Sequence, residues 1–139
     1  MLEVFIPGTP KAKARARVTK SGHAFTPKDT VNYENWVKEK FLEQHPEHIP
    51  LKGPIRMTAK FYFPRPKKHY RTGKFSEDLR ADAPKYHSNT PDLDNLIKSI
   101  TDGLNGIAFK DDSQIFCLTD CIKGYTDHLP GAVIEIEEM

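Results

Sequence analysis

The chain contains 139 residues, of which 37% are hydrophobic and 29% are charged, and these values predict one globular domain over residues 1–139 rather than a disordered chain. No apolar run approaches the roughly 18 residues of a membrane span, and the first residues lack the pattern of a secretory signal. We therefore expect a cytoplasmic protein that does not bind a membrane. Cys117 and Cys121 are too few for a disulfide framework.

The net charge of +2 conceals a basic part and an acidic part of the chain. Residues 1–91 hold 18 Lys and Arg against 9 Asp and Glu, a balance of +9, whereas residues 92–139 hold 3 against 10, a balance of −7. A basic surface attracts a polyanion and an acidic surface repels it. The acidic part therefore indicates either ordinary surface charge or carboxylates that are neutralised by a metal ion.

Apolar periodicity predicts the elements of the first half of the chain. In order, they are a strand over 2–6, an extended arm or hairpin over 9–26 with a turn at Ser21-Gly22, a helix that starts within 26–29 and ends before Pro46, and a strand over 55–63.

A long connection, residues 64–91, follows that strand. It contains four prolines, and seven Lys or Arg against three acids, which makes it basic. Connections of this length without regular structure are usually functional or disordered. We interpret it as a long basic loop that is either flexible or used for binding, since Tyr70 and Phe75 are side chains that stack on exposed bases.

The second half of the chain contains one predicted helix and two predicted strands. Leu93, Leu96, Ile97, Ile100 and Leu104 form an apolar stripe at helical spacing, and Gly103 and Gly106 mark the end of the helix. Residues 114–123 predict a buried strand, Gly124 and Pro130-Gly131 bracket a turn, and 132–138 predict a last strand. The expected fold is α+β, with a mixed sheet and two α-helices packed on one of its faces.

Charged residues gather at the start of the second predicted helix. Asp92 precedes it, and Lys98 follows Asp94 by four residues. At about 100° per residue, Asp94, Lys98, Thr101 and Asn105 share a polar stripe turned away from the apolar face.

A second acidic pair, Asp111 and Asp112, lies just after that helix. The return of the chain to the next strand is short enough to bring one of them beside Asp92 and Asp94. Clustered carboxylates repel each other unless a cation pairs with them, and hard oxygen ligands suit Mg²⁺ or Mn²⁺. Such an ion next to Lys98 indicates phosphodiester hydrolysis.

Each of these residues also has a purely structural interpretation. Asp92 would cap the helix, Asp94 and Lys98 would form an ordinary pair four residues apart, and Asp111 with Asp112 would form a turn. The residues alone leave both interpretations open.

Basic residues alternate with small ones in the arm. Lys11, Lys13, Arg15 and Arg17 lie on one side of an extended segment, and alanines occupy the positions between them. The stripe is suited to tracking DNA phosphates, although a solvated surface arm has the same pattern.

These motifs resemble those of the RusA-type Holliday junction resolvases, the crossover junction endodeoxyribonucleases often found in prophages. The resemblance covers most of the chain, and its motifs are Pro7-Gly8-x-Pro10-x-x-Lys13-x-Arg15-x-Arg17, Asp92-x-Asp94-Asn95-x-x-Lys98 and Asp111-Asp112-x-Gln114.

The resemblance implies a Mg²⁺-dependent homodimer, with Mn²⁺ as a substitute ion, that cuts two opposing strands of a four-way DNA junction in recombination and repair. It assigns metal binding to Asp92, Asp94 and Asp112, with Asp111 as the alternative member of its pair, and it makes Lys98 the catalytic lysine. It assigns DNA binding to the four basic residues of the arm, Lys11, Lys13, Arg15 and Arg17.

Two other functions fit the residues. One is a non-catalytic nucleic-acid-binding module whose aspartates only cap and solvate. The other is a metal-dependent hydrolase of a small phosphoester, for which the long basic arm has no use.

Overall fold

The chain folds into a mixed β-sheet with two helices on one face, in a computed structural model that describes residues 1–14, 17–25 and 28–139. In chain order, the elements of these residues are β1 (Leu2–Pro7), β2 (Arg17–Val18), β3 (Ala24–Phe25), α1 (Lys28–Gln44), β4 (Ile55–Pro64), α2 (Leu93–Leu104), β5 (Ile115–Leu118), β6 (Ile122–Thr126) and β7 (Gly131–Glu138).

The sheet is built around its two longest strands, β4 and β7. β7 lies between β1 and β4 and pairs antiparallel with both. β5 and β6 pair parallel with β4, one after the other along its length. β2 and β3 form a separate hairpin that turns at Gly22, where φ is +87° and favours glycine.

One hydrophobic core joins the sheet to the helices. β4 alternates strictly between buried and partly exposed residues, and its buried side faces the apolar stripe of α2. The fully buried members include Phe41 of α1, Phe61 of β4, and Leu96, Ile100 and Leu104 of α2. The predicted α+β fold with both helices on one face is confirmed. No helix in the described ranges has the length and apolar character needed to cross a bilayer.

The predicted strand over 114–123 is wrong in two respects. The segment forms two short strands separated by Asp120, whose φ is +49°, and its side chains Phe116 and Leu118 are 60% and 48% exposed. Gly124 lies within β6 rather than at the start of the turn. The apolar composition did not reveal that β4, with ten residues, is long enough to pair with two short strands in succession.

The long basic loop is bonded to itself and packs against the sheet, where the Arg65 guanidinium lies 5.3 Å from the centre of the Tyr125 ring on β6. Arg65 donates a hydrogen bond of 2.7 Å to the carbonyl oxygen of Pro84, and His87 stacks on Phe63 with ring centroids 4.4 Å apart. Burial lowers the pKa of His87, and the nearby charge of Lys123 lowers it further, so the neutral ring is favoured in this stack. Two short 3₁₀ turns, Lys67–His69 and Gly73–Phe75, lie between these anchors.

Gly103 sets the distance between α1 and α2. A Cβ atom at this position would lie 2.8 Å from the Cβ and Cγ1 atoms of Val37 and 3.2 Å from the carbonyl oxygen of Glu34. Real Cβ atoms do not approach that closely, so only glycine allows α2 to rest on α1 in this position.

We therefore expect Gly103→Ala to destabilise the protein by about 1–3 kcal/mol, because overpacking outweighs the gain of about 1 kcal/mol in helix propensity. Urea unfolding followed by circular dichroism measures the effect. In a Val37→Gly background, which removes both the Cβ and the Cγ1 atom of residue 37, the same substitution should cost markedly less. An equal loss in both backgrounds would show that the helix contact is not the cause.

Candidate active site

The start of α2 presents two aspartates to solvent. The carbonyl oxygen of Asp92 accepts the first helical hydrogen bond from the amide of Leu96 at 3.1 Å, but the side chain of Asp92 forms no capping hydrogen bond. Asp94 accepts a bond of 2.9 Å from the amide of Asn95. The interpretation of the Asp92 carboxylate as a helix cap is therefore wrong, because this carboxylate accepts no hydrogen bond from the first turn of α2.

Lys98 contacts two carboxylates one turn further along α2. Its ammonium lies 2.9 Å from Oδ1 of Asp102 and 3.2 Å from Oδ2 of Asp112. Hydrogen bonds to Asp102 and then to Asp112 raise the pKa of Lys98, which keeps it protonated. Within the described residues, Lys98 pairs with these two residues and not with Asp94, so the ordinary pair proposed for Asp94 and Lys98 does not form.

Lys13 of the arm joins the same group of charges. Its ammonium lies 2.8 Å from Oε1 of Glu34 on α1 and 3.0 Å from Oδ2 of Asp102 on α2. Its backbone amide donates a 3.0 Å hydrogen bond to the carbonyl oxygen of Asn95. The hydrogen bond with Glu34 is the main cause that raises the pKa of Lys13; burial lowers this pKa by less, and the hydrogen bond with Asp102 raises it further. This lysine is directed at carboxylates of its own chain.

The turn before β5 distinguishes Asp111 from Asp112. The Asp111 carboxylate accepts a hydrogen bond from the amide of Ser113, and the Asp111 amide donates to the side chain of Gln114, which forms a capping box. The bond from Ser113 lowers the pKa of Asp111. The amide of Asp112 donates to the Asn105 side chain, and its carboxylate faces Lys98. Asp111 thus shapes the turn, while Asp112 contacts the catalytic candidate.

The structure brings Lys98 and Asp112 together but leaves the predicted metal site incomplete. Among the residues it describes, no three His, Cys, Asp or Glu side chains are placed to hold a metal ion together. Binding of a metal by Asp92, Asp94 and Asp112 therefore stays a prediction.

The helical stripe needs one correction. Thr101, predicted on the polar side, is only 6% exposed, and its hydroxyl donates to the carbonyl oxygen of Lys98. Asp102 occupies the polar side instead, and it was missed. The signal was present in its spacing, because a residue four positions after Lys98 lies only about 40° further round the helix.

The described part of the arm docks against both helices. Lys11 is exposed, and the amide of Ala14 donates a bond of 3.1 Å to the hydroxyl of Thr30 on α1. Arg15 lies outside the described residues. Arg17 begins β2, and only its backbone is described.

A basic groove lies within the long loop. It has a volume of about 700 Å³, and its lining includes Lys67, Lys68, Tyr70, Arg71 and Arg80. The end of the loop is held by β6, because the ammonium of Lys123 donates to the carbonyl oxygens of Asn89 at 2.6 Å and Pro91 at 2.8 Å.

Comparison with known proteins identifies the family. The family model described as endodeoxyribonuclease RusA matches residues 7–137. The chain belongs to the RusA endodeoxyribonuclease family. The uncharacterized protein YqaN of Bacillus subtilis (strain 168) is 33% identical over 136 residues, which is 95% of this chain and 92% of YqaN. The resemblance inferred from the motifs is confirmed, and the RusA match spans the arm, both helices and the turn that holds Asp112.

The charge network of this RusA-family protein should make its stability depend on pH. Partial burial raises the pKa of Asp102, but hydrogen bonds from Lys98 and Lys13 outweigh burial, so the pKa lies below its ordinary value of 3.8. A carboxylate whose pKa is lowered by folding stabilises the fold at every pH above its ordinary pKa. This contribution disappears as the pH falls through the lowered pKa.

We expect the difference in unfolding free energy between wild type and Asp102→Asn to be largest near about pH 6 and to shrink by about pH 3. Urea unfolding at each pH measures it. Glu43→Gln, which removes an exposed partner of Lys40, serves as the control. An identical difference at both pH values would contradict the assignment.

Proposed function

We propose that this protein is a divalent-metal-dependent endonuclease that resolves four-way DNA junctions as a homodimer, in recombination and repair. One observation carries the proposal: Lys98, on the helix that begins at Asp92 and Asp94, holds its ammonium against Asp112 of the turn before β5. This arrangement supports a phosphodiester-cleaving site, and membership of the RusA family supports DNA as its substrate.

The carboxylates at this helix suit Mg²⁺, with Mn²⁺ as a substitute. Asp92, Asp94 and Asp112 supply hard oxygen ligands and no sulfur or imidazole, which is the donor set these ions prefer. Asp92 and Asp94 are exposed and form no salt bridge within the described residues, so their charges remain uncompensated. When bound, the cation would polarise the phosphate and lower the pKa of an attacking water.

Lys98 has a role of its own beside that site. Its raised pKa keeps it charged near neutral pH, and 52% of its side chain is exposed, so the ammonium is accessible to a phosphate oxygen. A fixed positive charge at this position stabilises the negative charge that develops during cleavage. We assign it catalysis by electrostatic stabilisation rather than proton transfer.

The basic loop is proposed to hold the DNA beside α2. Its groove is lined by four cationic side chains, and Phe75, which is 41% exposed under the Arg71 guanidinium, offers a face for a base. Lys11 and the remaining basic residues of the arm, Arg15 and Arg17, are proposed as further phosphate contacts. A homodimer suits the task, because a two-fold protein matches the symmetry of a junction that is cut twice.

We expect Asp94→Asn to bind a synthetic four-way junction as tightly as wild type and to cut it at least about 100-fold more slowly, since binding uses basic residues and cutting needs the carboxylate. Gel assays of binding and cleavage measure both. Asp120→Asn, an exposed aspartate outside the proposed site, should cut at the wild-type rate.

Chelation separates this function from the alternatives. With EDTA, cleavage should stop while binding persists, and Mg²⁺ or Mn²⁺ should restore it. Cleavage by Asp94→Asn at the wild-type rate would refute the metal assignment. Metal-indifferent binding without nicking would indicate the non-catalytic module, and competition by a nucleotide but not by duplex would indicate a small phosphoester as the substrate.

The proposed role of the loop predicts how the salt dependence of junction binding changes when its basic residues are removed. In the double variant Lys67→Ala with Arg71→Ala, the slope of log K against log salt should become shallower by about 0.9 for each phosphate that the loop no longer neutralises. Fluorescence anisotropy of a labelled junction at several salt concentrations measures it. Lys52→Ala, an exposed lysine beside the acidic Glu138, should leave the slope unchanged, and an equal change in both variants would exclude a specific role for the loop.

A further inference from the structure

Asp102 is shared by two lysines that come from different parts of the chain. One of its carboxylate oxygens lies 2.9 Å from Lys98 and the other lies 3.0 Å from Lys13. Its side chain is 20% exposed, against 52% for Lys98, so the carboxylate forms the more enclosed part of the contact. Both of its oxygens are used in holding ammonium groups.

Each lysine also contacts a second carboxylate further out. Lys13 contacts Glu34 at 2.8 Å, and Lys98 contacts Asp112 at 3.2 Å. The five residues form a chain of alternating charge, Glu34–Lys13–Asp102–Lys98–Asp112, which runs from α1 through the arm and α2 to the turn before β5. Asp102 is its centre and its link between the arm and Lys98.

We propose that Asp102 is a positioning residue that holds Lys98 beside Asp112 and links this contact to the docking of the arm on α2. The proposal rests on the proposed function. A lysine in solvent samples many rotamers, and Asp102 on one side with Asp112 on the other restricts the ammonium to one position. The arm is also fixed to α2 by the backbone hydrogen bond from Lys13 to Asn95. The two residues of α2 that hold Lys13, Asn95 and Asp102, therefore lie on the same helix as Lys98.

The kinetic test compares kcat and KM for junction cleavage. Asp102→Asn should lower kcat at least about tenfold and change KM less than about threefold, because it disturbs Lys98 rather than the DNA contacts. Glu34→Gln, which loosens Lys13 without touching Lys98, should leave kcat within about twofold. In a Lys98→Ala background, Asp102→Asn should cause no further loss of kcat, and losses that multiply would overturn the proposal.

A second measurement does not depend on activity. In the metal-free protein without DNA, the acetylation rates of individual lysines are followed by peptide mass spectrometry. Asp102→Asn should accelerate Lys98 and Lys13 at least about threefold and leave Lys40 unchanged, because only the first two lose an ion-pair partner. Glu43→Gln should affect Lys40 alone.

The two measurements separate this inference from the proposed function. If the wild type does not cut a junction, the proposed function fails, and the acetylation rates decide the positioning role by themselves. An unchanged rate at Lys98 in a folded Asp102→Asn variant refutes that role, whether or not the wild type is a nuclease. Circular dichroism of each variant establishes that it is folded.

Discussion

The site depends on the way Lys98 and Lys13 are each placed between two carboxylates. Every contact in this group joins opposite charges at 2.8 to 3.2 Å, and its central carboxylate, Asp102, is largely enclosed. Isolated surface ion pairs contribute little, but a partly buried network that joins four segments, α1, the arm, α2 and the turn before β5, restricts each of them. The arm, α2 and the turn with Asp112 are thereby held in one arrangement, and the position of Lys98 follows from it.

The opposite charges of the two parts of the chain meet at α2. The basic loop ends immediately before Asp92, and Lys123 of β6 holds its last carbonyl groups, while the arm docks along the following turn. The basic loop and the two exposed aspartates at the start of α2 are therefore adjacent at Pro91 and Asp92, where the charge balance of the chain changes from +9 over residues 1–91 to −7 over residues 92–139. Under the proposed function, a polyanion held by the loop is bound by the segment that leads directly into Asp92.

The sequence predicted those features that depend on local periodicity. The alternation in β4 and the apolar stripe of α2 identified the sheet, the second helix and the core face, because one face of each element is buried. Features that depend on partners distant in the chain were not predicted. The sequence around Thr101 does not show that this residue is buried in the fold. Residues 114–123 do not show that they form two strands, both paired with β4. Glu34 becomes a partner of Lys13 only when α1 and the arm meet. The shared motifs identified the family, whereas the pairing of each charge required the fold.

The pairing also separates the carboxylates into two groups. Asp102 and Asp112 each contact a lysine, and Asp111 accepts an amide in its capping box. Asp92 and Asp94 lie exposed at the start of the same helix, and neither contacts a lysine or arginine in the part of the chain that the structure describes. Two neighbouring uncompensated carboxylates repel each other, although the positive end of the helix dipole offsets part of that cost. The helix dipole supplies only a partial positive charge against two carboxylates, which makes this pair the first place to look for a divalent cation.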